Sequence, residues 1–389
     1  MPFAAELSAH PGSAQALGEA VGQILDTLGP EPDLAVLFVT EHHLPLIDEL
    51  VATLHELLRP RALIGASGMA VLAGSHGVES RPGLALWAAR MPGAIKTVHL
   101  TAEQTETGWR FDGLDPEQAA AASTLVLLPE PFTFPPDELL ASLHTSHPHL
   151  QVIGGLASAG RQPGSNRLVI DDRVVRHGAV GVLLDQQASP TTVVSQGCRP
   201  IGQPYTVTRS DRNLLQELGG KRALDRLLEI VDALDPAERE LATNGLHCGV
   251  VVDERKLDFE RGDFLVRNVI GADRASGVVA VGDHVPVGAT VQFQVRDAAT
   301  AGEDLREMLA NAARRSPEGA EAAVRGALVF TCNGRGTAMF GSADHDAEIV
   351  QDVLGVTATA GMFCAGELGP VAGRNALHGF TASVALFHD

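Results

Sequence analysis

Positive charge is scarce in this sequence. Only 29 Lys and Arg stand against 48 Asp and Glu, a net charge of −19. Such a balance supplies no basic patch to neutralise phosphates, which argues against nucleic acid as a partner and against binding to an anionic membrane surface. Cysteine is sparse too. Cys198, Cys248, Cys332 and Cys364 lack CxxC spacing and are too few for a disulfide framework, so they read as reduced thiols of a cytoplasmic protein. No apolar run approaches the ~20 residues of a membrane span, and the opening MPFAAELSAH has neither the basic nor the long apolar region of a signal peptide. Familiar catalytic patterns are missing as well. His42, His43, His76 and His99 show no HExxH spacing. GASG around Ser67 is not the GxSxG elbow, because Met69 stands two positions on. Gly334 and Gly336 precede a helix-like segment without GK[ST] or GxGxxG.

What is present is a recurring order of elements. After an amphipathic helix on Leu17, Ala20, Val21, Ile24, Leu25 and Leu28, the continuous apolar run Leu34 to Val39 reads as a buried strand. A helix over Leu46 to Leu58 follows. A short strand then enters the loop from Gly65, and Leu84 to Ala89 returns. The same order recurs from Leu125 to Leu184 and from Ala327 to Phe387. Aligning Leu34 to Gly65, Leu125 to Gly154 and Leu328 to Gly361 predicts three copies of one β-α-β-β unit, against the plainer alternative that apolar runs look alike. Between copies two and three, Leu214 to Leu234 reads as two helices broken at Gly219-Gly220. Strands around His247–Asp253, Phe264–Ile270, Val278–Val281 and Thr290–Arg296 read as an antiparallel segment. The expected fold is α/β (α+β): mixed sheets covered by helices, in two intimately packed domains, 1–220 and 221–389.

The last copy carries the densest chemistry. Ala327 to Phe330 runs into CNGRG, with Cys332, Asn333 and Arg335; Ser342 and Asp344 are candidate caps for a helix over Asp346 to Leu354. Thr359 to Phe363 then leads into a second stretch with Cys364, Glu367, Arg374, Asn375 and His378, read as a glycine-rich loop, and Phe380 to Phe387 returns as a strand. CNGRGTAMFG, GMFCAGELGPV and RNALHGFTAS resemble the C-terminal signature of the FIST family (F-box and intracellular signal transduction proteins). GASGMAVLAG and GGLASAG, with Ser67 and Ser158, resemble its N-terminal domain. The resemblance implies a sensory module that binds a small ligand, amino acids among the candidates, with haem as a cofactor in some members. It also implies a protein partner to carry the signal, since no kinase, cyclase or F-box-like segment is present.

Each candidate residue has a plainer alternative. Cys332 is either an accessible thiol whose pKa Arg335 lowers, or a small half-buried hydrophobe. Arg335, Glu367 and Arg374 either line one cavity for a carboxylate or ammonium ligand, or brace two loops. A cysteine-dependent enzyme using Cys332 is the rival to a binding module, and it requires a base within hydrogen-bond reach of the thiol.

Overall fold

In a computed structural model of the chain, residues 2–389 are described apart from positions 107, 257, 260–261 and 315–322. Two compact units emerge. The first comprises Met1–Val194, Leu305–Pro370 and Asn375–Asp389, the second Ser195–Asp304 and Val371–Arg374.

In the first unit the three predicted copies are real repeats with one topology. The opening strands are Leu34–Val39, Thr124–Pro129 and Val324–Cys332. Crossover helices Ile47–Leu58, Pro136–Ser146 and His345–Leu354 lead to second strands Leu63–Ser67, Gln151–Gly155 and Thr359–Cys364. Each second strand lies parallel to its opening strand. The return strands Leu84–Ala89, Ala179–Leu184 and Ala382–His388 pair antiparallel on the other side.

Period-2 alternation explains why the opening strands are apolar throughout. Leu34, Val36 and Phe38, then Val126 and Leu128, then Leu328 and Phe330 face one shared core. Phe38 and Phe330 meet there edge to face, 6.1 Å apart. Residues in between, such as Leu37, Leu127 and Val329, belong to three separate outer clusters with helical residues such as Leu54, Leu143 and Ile349. Three sheets thus back onto one interior, each with helices on its outer face. A shared backbone contact fixes the packing of strand on strand. A Cβ at Gly65, Gly154 or Gly361 would lie 2.3, 1.9 or 2.0 Å from the carbonyl oxygen of Leu37, Leu127 or Val329. Only glycine fits at these three equivalent points.

The sheets are completed by exchange, which the sequence did not foretell. After each second strand comes a hairpin: Ala70–Ala73 with His76–Glu79, Leu168–Ile170 with Arg173–Val175, and Glu367–Val371 with Arg374–His378. None stays in its own sheet. The first joins repeat three at Thr359–Cys364, the second joins repeat one at Leu63–Ser67, and the third joins repeat two at Gln151–Gly155. Residues 365–378 are therefore largely a hairpin, not the glycine-rich loop expected.

In the second unit, Thr290–Arg296, Tyr205–Asp211, Leu214–Leu218, Val278–Val281, Phe264–Asp273 and Leu246–Val251 pair antiparallel in that order, and the last pairs back with the first. The result is a closed barrel around Val207, Leu215, Cys248, Val279, Val291 and Phe293. The expected helix over Leu214 to Gly219 is one of its strands. Gly219 and Gly220 sit at φ 55° and 73°, conformations suited to a tight turn, and Leu215 and Leu218 point inward. The helix begins at Ala223 and ends at Ala233.

Candidate functional site

The alternation that builds the shared core continues one step past it. Counting two residues on from Phe38, Leu128 and Phe330 reaches Thr40, Glu130 and Cys332, and the three repeats diverge there. In repeat one, Thr40 Oγ1 accepts the Gly83 N–H at 2.9 Å. In repeat two, the Glu130 carboxylate is fully buried and accepts from Asn166 Nδ2 at 3.0 Å, Thr133 Oγ1 at 2.8 Å and the Phe132 N–H at 3.1 Å. Both ends are satisfied internally.

Repeat three ends in a thiol pair and a carboxylate. Cys332 and Cys364 are in register on neighbouring parallel strands, so their side chains share the inward face. Glu367 pairs in register with Gly155, and a Cβ on Gly155 would lie 2.2 Å from Cys364 Sγ. Glu367 is thereby brought to the Cys364 sulfur, with 0% of its surface exposed. The exchanged hairpins of the other two repeats place Leu168 and Val71 at the equivalent inward point, opposite Ala66 and Met362, and both belong to the shared core. A carboxylate in an apolar position is costly unless something there compensates it. Glu367 Oε2 accepts the Thr381 N–H at 3.1 Å, and the carboxylate is hydrogen-bonded to the Cys332 thiol. Burial first, and then the Glu367 charge, pushes that thiol up to about 12. The backbone N–H groups of Gly334 and Phe380 act in the opposite sense by donating to the sulfur. Burial likewise raises Cys364, with Glu367 and Cys332 adding to it.

The open, Arg335-activated Cys332 of the sequence reading is therefore corrected: the thiol is buried and protonated. Arg335 does not reach it as a counter-charge. Its own guanidinium is buried, and Nε and Nη2 bind Asp346 at 2.8 and 2.9 Å. His345 and Thr331 also bind that carboxylate. Burial opposes charge on Asp346, yet these partners hold its pKa well below the usual carboxylate range. Of the three residues expected to line one cavity, Arg335 is bound to Asp346, Glu367 lies at the thiols, and Arg374 is exposed at the hairpin turn. Capping departs from expectation as well. Asp344 precedes the helix but accepts the Gly77 N–H at 2.6 Å, tying the exchanged hairpin down, while Ser342 Oγ accepts the Asp344 N–H.

The other predicted residues divide by role. Asn375 bonds Val152 N–H and Leu150 C=O at 2.9 and 2.8 Å, fastening the third hairpin to repeat two. His378 is buried, with Nε2 2.9 Å from Gly369 O. Ser158 Oγ donates to Phe363 O at 2.5 Å and accepts the Met69 N–H at 2.8 Å, joining all three repeats beside Cys364. Ser67 Oγ accepts the Arg167 N–H at 2.9 Å. Asn333, next to Cys332, has its Oδ1 buried without a hydrogen-bond donor among the described residues. Of the histidines, His43 is buried against Ser13 Oγ at 2.9 Å and His99 Nε2 lies 3.1 Å from His177 O; His42 and His76 are exposed.

Sequence reasoning missed Phe380, Thr381 and Ser383. Phe380 was assigned to a strand, but the strand starts at Ala382; the HGFT turn preceding it was the available signal. Ser383 Oγ is buried without a partner among the described residues. A cleft of about 530 Å³ opens beside Glu41, Arg161 and Arg167, and one of about 500 Å³ opens beside Glu79, Thr337 and Asp344, where the first exchanged hairpin meets a neighbouring loop. Neither is lined by Cys332, Cys364 or Glu367, which lie beneath the surface.

Comparison with known proteins agrees with this architecture. The model of the FIST N domain matches residues 33–221, and that of the FIST C domain matches residues 223–370. An uncharacterized protein of Mycobacterium bovis is 46% identical over 385 residues, covering 97% of each chain. An uncharacterized protein of Mycobacterium tuberculosis is 46% identical over 389 residues, covering 98% of each. No helix among the described residues is long and apolar enough to cross a membrane. FIST domains are generally associated with sensory signal transduction and small-ligand binding. With both domain models matched across most of its length, the chain belongs to the FIST family.

Proposed function

We propose that this protein is a cytoplasmic sensor for a small amine-bearing ligand, amino acids among them, bound at Cys332, Cys364 and Glu367. The observation that carries this reading is the placement of Glu367: a fully buried carboxylate where the other two repeats have leucine and valine. An ammonium group is the natural complement of a buried carboxylate. Asn333, the residue after Cys332, adds a buried Oδ1 acceptor without a donor among the described residues. The signal passes to a protein partner.

Isothermal titration with a panel of amino acids and simple amines tests this reading. One member should bind saturably, and Glu367→Gln should weaken it about tenfold to a hundredfold, the loss of one charge-assisted hydrogen bond. Equal affinity in Glu367→Gln would overturn the assignment. A haemin titration in parallel, read at the Soret band, tests the haem alternative.

One observation favours a second reading. Glu367 is the base within reach of a thiol that cysteine chemistry requires. Turnover of a bound ligand, lost in Cys332→Ser while binding persists, would identify an enzyme.

A further inference from the structure

One aromatic residue beside the Cys332–Glu367 site, Phe380, is held in a costly conformation. Phe380 has φ 60°, the left-handed region that bulky side chains avoid. The residue is 39% exposed, and its ring rests on the backbone next to Cys332, where a Cβ on Gly334 would lie 2.5 Å from the ring. Gly334 is thus kept bare to seat it. The backbone around Phe380 serves the site directly: its own N–H donates to the Cys332 sulfur, and the next N–H, of Thr381, donates to Glu367 Oε2. The preceding residue, Gly379, has nothing within 4 Å of where a Cβ would be, so open space flanks the chain there.

A partly exposed aromatic residue gains less from burial than a core one, and left-handed strain at a bulky residue persists only where the surroundings impose it. We propose that Phe380 is the removable cover of the Cys332–Glu367 site. Ligand enters as the ring lifts off Gly334, which lets the backbone leave the left-handed region. The displaced ring then lies against the ligand and selects for its apolar part. This role rests on the ligand-binding reading for its purpose, but the cover itself is measurable without any ligand.

The test is the rate of Cys332 alkylation by iodoacetamide in the full chain, read by peptide mass spectrometry. Removing the ring in Phe380→Ala should speed Cys332 labelling by about tenfold, the effect of shifting an opening equilibrium by one decade, while Cys198 and Cys248 keep their rates. Phe380→Tyr, which keeps a ring, should label as the parent does. An unchanged Cys332 rate in Phe380→Ala overturns the proposal. So does a rise shared by all four cysteines, which would make Phe380 a packing residue. If the cover behaves as expected but no amino acid or amine binds, the sensor reading fails and the cover stands.

Discussion

Repeats one and three are built alike and finished differently. Both have a buried opening strand, a crossover helix, a parallel second strand with its obligatory glycine, and a hairpin given away to a neighbour. At the inward strand ends, repeat one closes with Thr40 bonded to the backbone of Gly83. Repeat three places two thiols beneath a carboxylate there, and braces the adjoining loop with the buried Arg335–Asp346 pair. Repeat two is intermediate, with a buried carboxylate, Glu130, that is fully occupied by its own loops. Repetition thus defines a background, and chemistry stands out as departure from it.

The largest expected effect comes from the buried Arg335–Asp346 brace of repeat three, which has no counterpart among the described residues of the other two repeats. Arg335→Ala leaves Asp346 buried without its bidentate partner, and should cost about 3–5 kcal/mol in urea unfolding. The pair also sets an acid limb. The Asp346 pKa lies below its unfolded value, so its contribution is complete above the ordinary carboxylate range near 4 and is lost as pH falls through the folded value. The parent should lose stability below about pH 4 more steeply than Arg335→Ala. Parallel curves would show that the pair is not the source.

A smaller effect tests the background itself. Gly65→Ala, Gly154→Ala and Gly361→Ala each drive a methyl into a facing carbonyl oxygen, and each should cost about 1–3 kcal/mol. Three similar losses in denaturant melts would establish that the repeats are energetically as well as topologically equivalent; a neutral substitution at one would break the symmetry there. The smallest shift is expected for Glu367→Leu, which gives the third hairpin the residue type that the hairpin of repeat two carries at Leu168. Removing a buried charge offsets the orphaning of the Thr381 N–H, so stability should change by no more than about 1 kcal/mol while amine binding disappears. A large destabilisation would identify Glu367 as structural.

Much of this was legible in the chain because strands buried on both faces leave continuous apolar runs, and the equivalent glycines interrupt them at matching points. The exchanged hairpins were not legible. AVLAGSHGVE was not read as a hairpin, and nothing in it marks which sheet would receive one. Arg335 was misread for a related reason: its partner Asp346 looked like a first-turn helix residue, and nothing local shows that a carboxylate turns inward. The Leu214 to Leu218 strand was lost because LLQEL fits a helix as easily as a barrel strand, and closure of the barrel decided it. Cys332, Cys364 and Glu367 were found as residue types in two motifs of one repeat. Their shared face required the register.

The exchange of hairpins also has a consequence for biosynthesis. Gly77, in the hairpin of repeat one, is held by Asp344, 267 residues downstream, and its sheet partner Thr359–Cys364 is later still. On a ribosome the first hairpin emerges long before the strand that receives it, so its edge must wait unpaired. Contacts of such long range slow folding and leave edges open to misassociation. The first unit can close its ring of exchanges only once repeat three has been made, and a ribosome that stalls before repeat three leaves a chain with a strand edge still seeking a partner.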